Sequence, residues 1–167
     1  MRIEVLALTL LVLLAAALVT QGSDKLVGTW KLISASLSTA AGERNDAPFG
    51  TSPTGFLTYT REGRMSAMIS HGGRKPLSVG DSSLAAAEEK AEAFSTFTAY
   101  AGRYTLTVGR VIHHVEISSL QNWANTDLIR LVQFHGDRII LATLPTETNG
   151  KIQTWELVWE RMPAISR

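Results

Sequence analysis

The stretch GRVIHHVEISSLQNWANTDLIR, residues 109 to 130, sets two adjacent histidines in an apolar run and closes on an arginine. A histidine buried among apolar neighbours is held neutral, and a neutral imidazole donates one hydrogen bond and accepts another. An arginine in the same setting stays charged and must find water, a carbonyl or an anion. Arg130 therefore suggests an anchor for a carboxylate, enolate or phenolate on an otherwise apolar ligand, gripped by two parallel N–H donors. Two other readings stand beside it. Arg130 can snorkel out through an opening and cap the loop at Asn122-Trp123. Alternatively, it can stabilise a developing oxyanion while His113 or a tyrosine such as Tyr104 moves a proton, the chemistry of a cyclase, isomerase or lyase. The quieter expectation for His113 is a core histidine bonded to Tyr104 or Tyr59.

Metal chemistry finds less support. His71, His113, His114 and His135 are the four histidines, but adjacent residues on a strand face opposite ways, and no cysteine or short metal-spaced motif accompanies them. Neither a metal nor another cofactor is expected. No Gly-x-Ser-x-Gly elbow points to a nucleophilic serine.

The elements that must position these groups are short alternating segments, separated by turn chemistry at Glu62-Gly63, Gly109-Arg110, Gly136-Asp137 and Asn149-Gly150. The expected strands are 29–38, 55–61, 64–70, 99–108, 111–118, 127–135, 138–144 and 152–161. Eight consecutive antiparallel strands close most economically as an up-and-down barrel, so the fold class is all-β. Residues 84–97 differ, being rich in Ala, Glu and Lys. Leu84, Ala87, Ala91 and Phe94 make a helical stripe after Ser82 and Ser83 as N-caps, which predicts one helix inserted between the third and fourth strands.

Register decides which side chains point inward. A two-residue loop at Gly109-Arg110 would pair Leu106 with His113, Tyr104 with Val115 and Gly102 with Ile117 on the inner face. His114, Thr105, Arg103 and Glu116 then face solvent. The Gly136-Asp137 loop groups Arg130, Val132 and Phe134 with Thr143, Leu141 and Ile139. A three-residue loop, Thr148-Asn149-Gly150, adds Trp155, Leu157 and Trp159 to that face, and Arg61-Glu62-Gly63 groups Leu57 and Tyr59 with Met65, Ala67 and Ile69. The mouth lies at the end carrying Arg130 and the Asn122-Trp123 loop. The Gly- and Pro-rich segment 41–55 is long enough for a lid, with Phe49, Phe94 and Phe97 covering the opening or plugging it. These positions nominate Phe49, Tyr59, Tyr100, Tyr104, His113, Trp123, Arg130 and Trp155 as ligand-contacting residues.

The 167 residues carry 16 Lys and Arg against 15 Asp and Glu, so no basic footprint for nucleic acid exists. Val5 to Val19 is an apolar run with Thr9 its one polar member. It follows Met1 and Arg2, precedes Gly22 and Ser23, and is shorter than the roughly 20 residues of a membrane span. Residues 1–22 therefore read as a signal peptide, with a retained anchor the alternative, leaving 23–167 as one domain, secreted or periplasmic, with no stable membrane span after processing. Cysteine is absent, which excludes disulfides and a lipid-anchored lipoprotein. The oligomeric state stays open.

The motif LVGTWKL places Gly28-Thr29-Trp30 at the start of the first strand, and WER ends the last with Arg161. This resembles the lipocalin pairing of a Gly-x-Trp with an arginine stacked over its indole. PFGTSPTGFLTYTREGRMS, AYAGRYTL, HHVEISSLQNW and GDRIILAT are similar to the bacterial and fungal lipocalin-like domain family. Where that family has a proline before the Asn-Trp pair and a glycine after it, this chain has Gln121 and Asn125; asparagine tolerates the positive φ a glycine would adopt. The resemblance implies a lipocalin-type barrel, structural roles for Gly28, Trp30 and Arg161, and a small hydrophobic ligand. The leading expectation is an exported carrier or sequestering protein. The alternatives are the enzyme outlined above and an envelope-associated structural protein with a filled core.

Overall fold

The computed structural model describes residues 24–164; the proposed signal peptide lies outside the described residues. Eight long strands follow one another: β1 (Gly28–Thr39), β3 (Thr54–Tyr59), β4 (Arg64–Ser70), β5 (Phe97–Thr107), β6 (Arg110–Ser118), β7 (Asp127–His135), β8 (Arg138–Thr143) and β10 (Lys151–Arg161). Each pairs antiparallel with the next, and β1 pairs with β10 to close an eight-stranded barrel. Two short strands, β2 (Arg44–Asn45) and β9 (Thr146–Thr148), extend the sheet beside β1 and β10. The helix α1 (Ala87–Ser95) lies between β4 and β5. No helix among the described residues is long and apolar enough to cross a membrane.

Alternation along the strands builds the core. Trp30 and Leu32 of β1 are buried, then a bulge at Ile33 shifts the phase so that Ala35 points inward. Val111, His113 and Val115 of β6 are buried in the same period-two pattern, while His114 turns outward to meet Thr105 (2.9 Å) and Asp127 (2.7 Å). At the closed end the Arg161 guanidinium sits 4.1 Å from the Trp30 ring centroid and donates to the carbonyls of Val27 and Lys25. Gly28 has φ 140, a conformation that favours glycine, and a Cβ there would also lie 2.5 Å from Arg161 Nη1.

Several expectations need correction. The β5–β6 turn is Val108-Gly109, with Gly109 at φ 73, so Leu106 faces Val111 and Tyr104 faces His113. That register differs from the expected one by two residues, which leaves His113 on the inner face because the side-chain period is also two. Ile117, expected inside opposite Gly102, is 68% exposed, because a bulge between Ala101 and Gly102 reverses the phase beyond it.

The tip of β9 and β10 is a two-residue turn, not three, with Asn149 and Gly150 both at positive φ as a type I′ turn requires. Trp155, Leu157 and Trp159 nevertheless share the face of Leu141 and Ile139. The β8–β10 register is offset by one from β9–β10, at Leu144-Pro145, where proline has no N–H to give the ladder.

Ser82 and Ser83 do not cap α1. They belong to a separate 3-10 turn in which Asp81 accepts from Ser83 N, and α1 begins only after Ala86, whose N–H donates to Glu89. Leu84 thus falls outside the helix. No residue of α1 is buried, Phe94 is 50% exposed, and none of the helix lines the cavity, so the apolar stripe expected over the mouth does not cover it.

Candidate functional site

The barrel is filled at one end and hollow at the other. Trp30, Tyr59, Met65, Val111, His113 and Ile139 pack the closed half. Above them is a cavity of about 360 Å³ whose wall is mainly apolar and aromatic, including Leu57, Ile69, Leu141, Leu157 and Trp159. That volume lies at the small end of the range for ligand pockets, roughly 300–1,000 Å³.

Five of the nominated residues meet in this cavity: Phe49, Tyr100, Trp123, Arg130 and Trp155. Phe49 comes from the segment after β2 and stacks on Trp155 (centroids 5.2 Å, 21° between planes), with His71 5.1 Å away. Its carbonyl accepts from Gly72 N at 2.9 Å, which fastens the segment over the mouth. Trp123 stands in a 3-10 turn, Gln121–Trp123, edge-on to Tyr100 at 5.7 Å. Asn125 just after it has φ 61, the left-handed conformation that the residue type tolerates. Phe94 and Phe97 do not line the cavity, and Phe97 instead receives the Arg74 guanidinium over its ring at 5.4 Å.

Tyr59, Tyr104 and His113 are likewise not part of the wall. They form a polar cluster within the packed half. His113 is 1% exposed, its Nε2 lies 2.6 Å from the Tyr59 hydroxyl, and its Nδ1 lies 3.0 Å from that of Tyr100. Tyr104 donates to the Thr60 carbonyl instead (2.9 Å). Burial, reinforced by the nearby charge of Arg130, pushes the His113 pKa down to about 3, so the ring is neutral. Burial also raises Tyr59 and Tyr100, with Arg130 partly opposing the rise at Tyr100.

Arg130 sits on β7 opposite Val111 of β6 and Thr143 of β8. It is half-buried, donates to the Ile129 carbonyl at 3.1 Å, and makes no salt bridge among the described residues. It lines both the cavity and an outer recess bordered by Asp127, Thr146 and Gln153. Its charge is therefore available to a guest at the throat between the two. No cluster of metal-ligating side chains occurs among the described residues.

Several lining residues were not nominated from sequence. His71 and Thr98 continue the inward alternation from Ile69 and Tyr100 by two positions, a signal that extending the strands would have revealed. Pro48 and Leu120 lie outside the long strands, where periodicity says nothing.

A sequence model described as a lipocalin-like domain matches residues 27–162. The chain is also 36% identical over 88 residues to a protein of Aspergillus oryzae named 4'-hydroxy-3'-methoxypropiophenone carrier protein, a match covering 47% of this chain and 79% of that one.

Proposed function

Because the chain belongs to the lipocalin-like domain family, we propose that it is a carrier that takes a small hydrophobic molecule into its barrel, holds an anionic or electron-rich end at Arg130, and releases it unchanged. The observation that carries this reading is the apolar cavity of about 360 Å³ with one guanidinium at its throat and no ion-pair partner for it among the described residues. The named cargo of the Aspergillus relative, an aromatic ketone, has the size and polarity such a cavity accepts. The reading includes export, with residues 1–22 as a signal peptide and 23–167 as the mature domain, secreted or periplasmic.

Quenching of tryptophan emission by naphthalene-2-carboxylate and by 2-ethylnaphthalene tests it. Both probes should saturate and be recovered chemically unchanged. Arg130→Met should weaken the carboxylate roughly tenfold or more, the worth of a hydrogen bond to a charged group, and spare the hydrocarbon. Absence of saturable binding by either probe would sink the carrier, and conversion of a probe would favour the enzyme. Protein purified from its own source should begin at Ser23; retention of the first 22 residues would count against export.

A further inference from the structure

The hydrogen bonds around His113 leave one hydrogen without an acceptor among the described residues. Tyr59 is 1% exposed, and among the described residues its hydroxyl has a single partner, His113 Nε2 at 2.6 Å. A buried hydroxyl hydrogen without an acceptor is costly, so Tyr59 donates and Nε2 accepts. A neutral imidazole carries one N–H. It is then on Nδ1, and it donates to the Tyr100 oxygen at 3.0 Å. The nearby charge of Arg130 partly offsets the effect of burial on that phenol. With the Nδ1 donor directed at its oxygen, the Tyr100 hydroxyl turns its own hydrogen away from His113. No other described residue is hydrogen-bonded to it, and Tyr100 lines the cavity.

Trp159 gives an independent sign of the same polarity. It lines the cavity and is 2% exposed, and its indole N–H has no hydrogen-bond partner among the described residues. Thr98, Thr143 and His71 on the wall can donate or accept, and the Thr143 hydroxyl already accepts from Trp155 N. The wall groups with only one possible role, the Tyr100 hydrogen as oriented by His113, the indoles of Trp123, Trp155 and Trp159, and Arg130, are all donors.

We infer that the cavity selects its guest by a hydrogen-bond acceptor, a carbonyl or phenolate oxygen that receives the Tyr100 hydroxyl, and that His113 is a positioning residue whose tautomer aims that hydroxyl. The inference rests on the carrier reading above and adds the polarity of the guest.

Two measurements test it. In the free full-length protein, the imidazole ¹⁵N resonances of His113 should show the proton on Nδ1 and the lone pair on Nε2; the reverse tautomer would overturn the proposal, since Tyr100 would then spend its hydrogen on His113. In the second, 2-acetylnaphthalene and 2-ethylnaphthalene are bound to the native protein and to Tyr100→Phe. The variant should weaken the ketone roughly three- to tenfold, the range of one neutral hydrogen bond, and change the hydrocarbon less than about twofold. Equal effects on the two probes would mean that Tyr100 only packs, and would overturn this proposal while leaving the carrier standing. Failure of the native protein to bind even the hydrocarbon would overturn both.

Discussion

His113 shows how far a single side chain could be read. Its inward direction follows from strand alternation, and its neutrality follows from burial. That it bonds Tyr59 was one of the two options open in the sequence. That it also bonds Tyr100 was not legible, because Tyr100 lies on β5 beyond a bulge. The unfolded chain protonates this histidine near the ordinary 6.5, but the folded protein only near about 3. Stability is therefore full above about pH 7 and declines as pH falls through that window, by up to about 1.4 kcal/mol per pH unit. Urea unfolding between pH 6.5 and 5, above the carboxylate range, should show this slope in the native protein and a flatter one in His113→Gln. His71, also lowered by burial, supplies a smaller residual slope. An undiminished slope in the variant would assign it elsewhere.

Between the strands, irregularities decide which faces reach the cavity. The bulge at Ala101 and Gly102 turns Ile117 outward, and it depends on a missing side chain, for a Cβ at residue 102 would lie 2.0 Å from the His114 carbonyl oxygen. Gly102→Ala should cost roughly 3 kcal/mol, because backbone rather than a flexible side chain must give way. Equilibrium unfolding reads this directly, and a loss below about 1 kcal/mol would show that β5 and β6 do not need the bulge. Pro145 acts in the same way on β8 and β9. Its one-residue offset makes a two-residue tip turn present Trp155, Leu157 and Trp159 on the face that an unbroken three-residue hairpin would have given. The preference for a dry inner face found the right side chains there, although the loop was different.

At the scale of the whole barrel, closure of β1 on β10 and packing of one end leave the other end open for a guest. Arg161 joins the two closing strands, with its guanidinium over Trp30 and its N–H groups on carbonyls ahead of β1. Arg161→Met keeps the apolar stem and removes the charge. The expected loss is roughly 2–3 kcal/mol, combining the cation–π contact with two charged hydrogen bonds. A thermal melt of the variant checks it, and an unchanged melting temperature would show that β1 and β10 close the barrel without this clasp.

The sequence alone determined the eight barrel strands, most of their inner faces and the arginine at the mouth, because period-two alternation and turn chemistry are local properties of the chain. Only the tertiary structure decided that the barrel is half-filled, that Tyr59 and His113 sit below the cavity while Tyr100 lines it, and that the helix stands apart from the core. Those outcomes depend on bulges, offsets and side-chain volumes summed across strands distant in the chain, and no local pattern carries that sum.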